Sequence, residues 1–135
     1  MKWSDKYLIG ISIVDNQHKQ LFNTYGDLCN ALREGLRPKQ VEEILTRLQY
    51  YVTRHFQMEE KYMQESNYPG IEEQQKAHKY FTQRFKELGG ELKKTGITPD
   101  IIKTIKGELS DWLKEHVTGL DLEFGQYYQE QKKQS

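Results

Sequence analysis

The sequence has one cysteine, three prolines and no net charge, since 20 Lys and Arg stand against 20 Asp and Glu in 135 residues. Each shortage excludes something. A lone Cys29 closes no intramolecular disulfide and builds no cysteine-based zinc or iron–sulfur site. Balanced charge, at a pI of about 6.9, leaves no electrostatic footprint for nucleic acid or an anionic membrane. No apolar run approaches the roughly 20 residues of a membrane span. Met1-Lys2-Trp3-Ser4-Asp5-Lys6 leads into no apolar stretch of signal-peptide length. The expectation is a soluble, cytoplasmic, single-domain protein over residues 1–135, with neither nucleic-acid nor membrane partners.

A mean hydropathy of −0.91 is polar for a folded chain. Yet 36% of the residues are apolar, nine Tyr, five Phe and two Trp among them, and they fall in stripes. Val14, His18, Leu21, Phe22, Tyr25, Leu28, Cys29 and Leu32 recur by threes and fours, the apolar face of an amphipathic helix. Gly35 and Pro38 close that helix and open the next. A second stripe runs Val41, Ile44, Leu45, Leu48, Tyr51, Val52, His55, Glu59, Tyr62, Met63, until Ser66-Asn67-Tyr68-Pro69-Gly70 breaks it. A third runs Gln74, Ala77, His78, Phe81, Phe85, Leu88, Leu92. Thr98-Pro99-Asp100 then supplies a cap, a first-turn proline and an acid for a fourth, Ile101, Ile105, Leu109, Trp112, Leu113, His116, Val117.

This pattern predicts main helices at about 14–34, 39–65, 71–94 and 99–118. Residues 1–13 form an extended arm, and 121–131 either continue the last helix or add a short turn. Four helices joined by short loops place neighbours antiparallel, so the fold class is all-α, an up-down-up-down four-helix bundle. Cys29 sits on the first stripe and reads as a small buried hydrophobe.

All four histidines, His18, His55, His78 and His116, fall on apolar stripes, one per helix. Glu59 joins them. It stands four residues after His55, hence about 40° away around the helix, so the two can share one metal. A single histidine on an apolar face is ordinarily a hydrogen-bonded core residue. Four of them with an acid are another matter, because burying several imidazoles and a carboxylate without a counter-charge costs several kcal/mol. A pair of metal ions satisfies them together.

At these residues the sequence resembles the hemerythrins, specifically the single-domain bacterial type. Trp3 followed by Ile9-Gly10-Ile11-Ser12-Ile13-Val14-Asp15-Asn16-Gln17-His18 is similar to the family's opening segment and first ligand. His55-Phe56-Gln57-Met58-Glu59-Glu60 resembles its H-x-x-x-E motif, and Tyr68-Pro69 before His78-Lys79-Tyr80-Phe81 its entry to the third helix. Trp112-Leu113-Lys114-Glu115-His116-Val117-Thr118-Gly119-Leu120-Asp121 resembles its closing W-x-x-x-H-x-x-x-x-D motif. The resemblance implies two non-haem iron ions with a bridging oxo or hydroxo group, and dioxygen as the ligand. It implies Glu59 and Asp121 as bridging carboxylates, His18 and His55 on the iron that keeps an open position, and His78 and His116 on the other. Leu113 and Val117, with Trp112 beside them, resemble the apolar lining of an oxygen pocket, a role compatible with ordinary core packing.

One position departs from the pattern. The family usually carries H-x-x-x-H on the third helix, and the residue four before His78 is Gln74. Its amide oxygen can replace the imidazole as a weaker neutral donor, or swing away and leave the position to water or an anion. The resemblance thus implies a reversible dioxygen carrier, store or sensor, with a di-iron enzyme handling peroxide or nitric oxide as the alternative that Gln74 favours. Asp121 poses a geometric difficulty. Five residues of regular helix rotate about 140°, so reaching the side of His116 requires a widened turn, which Thr118-Gly119 could allow.

Overall fold

The computed structural model describes residues 2–134. Three α-helices, α1 (Ser12–Arg33), α2 (Pro38–Glu65) and α3 (Ile71–Thr95), precede a fourth helical run. That run, here α4, is unbroken over 99–134 but not uniform. It is α-helical at Pro99–Lys103, Ser110–His116 and Leu122–Gln134, and π-helical at Thr104–Leu109 and Val117–Asp121. Among the described residues there is no strand.

Local chemistry accounts for the punctuation. After α1, Gly35 takes φ 72°, and the amide of Leu36 reaches back to the Ala31 carbonyl at 3.0 Å, satisfying a helix-end acceptor. Pro38 opens α2, where the Gln40 side chain accepts from the Arg37 amide at 3.0 Å. The Thr98 hydroxyl accepts from the Ile101 amide at 3.2 Å, with Pro99 in the first turn of α4.

The order of residues along each helix shows the antiparallel arrangement. Two apolar clusters form the core: a large one built on Leu21, Phe22, Val52, Phe56, Phe81, Leu113 and Val117, and a small one built on Ile9, Ile11, Val14, Met63 and Phe124. Along α1 the chain meets the small cluster (Val14), then His18, then the large cluster (Leu21). Along α2 the order reverses: Val52, then His55 and Glu59, then Met63. On α3 it is Ile71, Gln74 and His78, Phe81, and on α4 it is Leu113, His116 and Asp121, Phe124. Up, down, up, down, each helix carries its polar buried residues through one layer between two dry ones. Cys29 differs from expectation: it is half-buried, packed against the rim of the large cluster.

The arm before α1 is pinned at both ends. Ser4 starts a short 3-10 turn at Asp5–Tyr7, where Trp3 and Tyr7 pack edge-on against Phe22 at 5.5 and 4.6 Å. The buried Asp15 carboxylate accepts from the amides of Ile9 (2.8 Å) and Gly10 (3.2 Å). Gly10 has φ 92° at the bend. Ile9 crosses α4 so closely at Gly125 that a Cβ there would lie 2.1 Å from the Ile9 carbonyl oxygen, which excludes any side chain. Met1, at the start of the expected arm, lies outside the described residues.

The fourth helix is where the structure adds to the expectation. The sequence pattern carries it to about 118 and leaves 121–131 either as its continuation or as a short extra turn; the backbone runs straight through. A π turn absorbs an extra residue while keeping the backbone bonded at i→i+5, so no loop is needed. The wide turn at Thr104–Leu109 had no counterpart in the sequence reading.

Candidate metal centre

Each of the six ligand candidates, and Gln74 with them, is buried and carried by one of the four helices. His18, Glu59, Gln74 and Asp121 are fully shielded, and His55, His78 and His116 nearly so. α1 supplies His18, α2 supplies His55 and Glu59, α3 supplies His78 with Gln74 one turn earlier, and α4 supplies His116 and Asp121. The π turn Val117–Asp121 brings Asp121 back to the side of His116, with Nε2 and Oδ1 3.2 Å apart.

The two carboxylates divide the centre into halves. Glu59 turns Oε2 to His55 Nε2 (3.1 Å) and His18 Nε2 (3.6 Å), and Oε1 to His78 Nε2 (3.2 Å). Asp121 turns Oδ2 to His18 Nε2 (3.1 Å) and Oδ1 to His116 Nε2. The ligand atoms form two groups, His18, His55, Glu59, Asp121 and Glu59, His78, His116, Asp121, each with its atoms within 4.8 Å of one another. Both carboxylates belong to both groups.

The donor set fits cations better than it fits itself. His18 Nε2, His116 Nε2, Glu59 Oε2 and Asp121 Oδ2 are buried without an aligned hydrogen bond, as is the Gln74 carbonyl oxygen. Such groups are costly to leave unpaired, and imidazole nitrogens with carboxylate oxygens suit first-row divalent metals. On His55 and His78 the outward nitrogen is occupied, whereas His18 Nδ1 is buried without a partner. His55 Nδ1 pairs with Gln17 Oε1 at 2.9 Å and His78 Nδ1 with Glu60 Oε2 at 2.8 Å, which leaves both Nε2 lone pairs facing in.

The electrostatics of these side chains follow the same geometry. Burial alone would depress the His18 imidazole, but Asp121 and Glu59 beside it override this and push it up to about 9. For His55 burial wins over Glu59, and the imidazole is lowered. Burial also works against a charged His78, yet Glu59 and Glu60 raise it. Burial favours a neutral Glu59, but His55, His18 and His78 around it hold the carboxyl well below its ordinary range.

Gln74 does not leave the layer. Its amide nitrogen donates to Asp121 Oδ1 at 3.0 Å, the oxygen on the His116 side. Leu113 and Val117 are buried in the large cluster, and Trp112 is half-buried with its ring stacked on His116 at 4.6 Å. Two contributors escaped the sequence reading, Gln17 and Glu60; Phe56, a core ring, stacks on His78 at 3.9 Å. Gln17 and Glu60 adjoin ligand candidates in sequence, but each reaches across to a histidine on another helix, a pairing that no spacing rule reveals.

The Hemerythrin HHE cation binding domain model matches residues 9–127. The chain belongs to the hemerythrin family. It is 29% identical to the bacteriohemerythrin of Pseudomonas aeruginosa over 119 residues, covering 88% of this chain and 75% of that protein. It is 25% identical to the bacteriohemerythrin of Campylobacter jejuni, covering 98% of this chain and 99% of the other. Myohemerythrin of Sipunculus nudus is 25% identical, over 90% of this chain and 88% of its own length. The crystal structure of a wild-type hemerythrin superposes with a TM-score of 0.81 at 22% identity, over 95% of this chain and 97% of that one, which shows the shared fold. The hemerythrin bundle of this chain has its buried histidine–carboxylate layer between two apolar clusters.

Proposed function

We propose that this hemerythrin domain holds two non-haem iron ions and binds dioxygen reversibly, as a carrier, store or sensor. The observation that carries the reading is the double membership of Glu59 and Asp121, whose separate oxygens face separate histidine pairs. In this reading Glu59 and Asp121 would serve both ions, His18 and His55 would hold one, and His78 and His116 would hold the other. The iron pair, when bound with its bridging oxo or hydroxo group, supplies the electrons and the coordination position that dioxygen needs. The chain's own residues set the conditions. Gln17 and Glu60 orient imidazoles, while Leu113, Val117 and Trp112 wall the layer with apolar surface that keeps water away from it. Among the described residues no helix is long and apolar enough to cross a membrane, which accords with a cytoplasmic location.

A second reading is a di-iron enzyme acting on peroxide or nitric oxide. Gln74 favours it, because its amide nitrogen is turned to Asp121 and the His78 half has two imidazoles and no third. One experiment separates the two. Iron-loaded protein, reduced anaerobically and then exposed to air, is followed in the visible region. A charge-transfer band that grows in air and fades on degassing supports reversible binding. Direct passage to the oxidised spectrum, with catalytic consumption of added peroxide or nitric oxide, supports the enzyme.

A further inference from the structure

The two halves of the centre are backed by different chemistry. Behind His55, Nδ1 meets a neutral amide oxygen, Gln17 Oε1 at 2.9 Å; behind His78, Nδ1 meets a carboxylate, Glu60 Oε2 at 2.8 Å. Glu60 is outside both ligand groups. Its side chain is 26% exposed and lines a cleft of about 570 Å³ between α2 and α3, together with Phe56, Lys76 and Lys79. The Phe56 ring lies parallel to His78, at 3.9 Å and 6° between planes, so one face of the imidazole is held by a ring and one edge by a charge.

A carboxylate that accepts the outer N–H of a ligating histidine fixes the tautomer and ring orientation and makes the inner nitrogen more basic; an amide does so more weakly. The half that Glu60 supports is also the half where Gln74 stands at the position of a further imidazole. We propose that Glu60 is a positioning residue that strengthens His78 as a donor, so that the His78–His116 half retains its cation despite Gln74. The inference rests on the two-metal reading and extends it, assigning to a residue outside the ligand set the balance of affinity between the halves.

The test is an anaerobic titration of metal-free protein with Co²⁺, followed by visible absorption and calorimetry. The native chain should take two ions in two resolvable steps, and the step abolished by His116→Ala marks the His78 half. Glu60→Gln should weaken that step by about ten- to hundredfold and leave the other in place, with the unfolding midpoint of the metal-free variant unchanged. Gln17→Glu, which puts a carboxylate behind His55, should strengthen the other step. Wild-type protein that takes fewer than two ions defeats the two-metal reading and the proposal with it. Two ions in wild type, with Glu60→Gln binding identically or with both steps weakened alike, overturns the role of Glu60 alone.

Discussion

Nε2 of His116 and Oδ1 of Asp121 approach to 3.2 Å although they stand five positions apart, and the π turn Val117–Asp121 is what closes the gap. Because the other oxygen of Asp121 faces His18, one side chain belongs to both halves of the site. Asp121→Ala should therefore lower affinity for both ions, by at least about tenfold each, whereas His55→Ala should impair one. Metal-to-protein ratios after dialysis check this. A variant lacking Asp121 that still retains two ions would remove it from the centre.

Gln74 offers the complementary change. Gln74→His adds an imidazole to the half that has two, and the side chain it replaces is fully buried beside Asp121. We expect the air-dependent band to decay several-fold more slowly in the variant, and peroxide turnover to fall. Equal decay rates in the two proteins would show that Gln74 is not what controls the stability of the oxygenated form.

Metal should stabilise the fold. Oxygens of Glu59 and Asp121 and the inward nitrogens of His18 and His116 are buried without a hydrogen bond from the protein, while each cation bound only by the folded chain contributes about 4 kcal/mol at a thousandfold excess over its Kd. A chelator should lower the thermal midpoint markedly, and readdition of Fe²⁺ or Zn²⁺ should restore it. Unchanged melting curves would mean that the layer is not a metal site.

Tyr25 holds the other π segment. Its hydroxyl, at the end of a fully buried ring, donates to the carbonyl of Ile105 within Thr104–Leu109. Tyr25→Phe removes that buried hydrogen bond and should cost about 1 kcal/mol in denaturant unfolding. Burial pushes the Tyr25 hydroxyl above its ordinary value. With the folded pKa above the unfolded one, its contribution is complete below about pH 10 and is lost as pH rises beyond that, where the unfolded chain ionises first. The Phe variant should show a shallower alkaline decline in stability; an identical decline would exclude Tyr25 as its source.

Gly125→Ala tests the docking of the arm. A Cβ 2.1 Å from the Ile9 carbonyl oxygen forces the arm or α4 to move, at about 1–3 kcal/mol. Amide exchange at Ile9 and Gly10, whose N–H groups bond Asp15 in the native chain, should accelerate several-fold. Native protection in the variant would show that the crossing relaxes without cost.

Much of this was legible in one dimension. Histidines on every apolar stripe, with Glu59 one turn after His55, are visible because helical periodicity converts spacing into a shared face. The same conversion fails wherever the helix departs from regularity or a partner lies on another helix. Thr118-Gly119 marked the wide turn beside Asp121, yet Thr104–Leu109 carries no comparable mark except Gly107. Gln17 and Glu60 stand next to ligand candidates in sequence and point away from them, so their value appears only once α1 meets α2 and α2 meets α3.

What the sequence determined by itself is therefore the set of faces: four amphipathic helices, short loops that force antiparallel neighbours, and one buried polar layer along each stripe. Only the tertiary structure decided which oxygen of Glu59 and of Asp121 faces which histidine, and that Gln74 donates to Asp121. It alone set a carboxylate behind His78 and an amide behind His55. The physical reason is range. Periodicity is a property of one helix, whereas a site shared by four helices depends on how far each is rotated and shifted against the others.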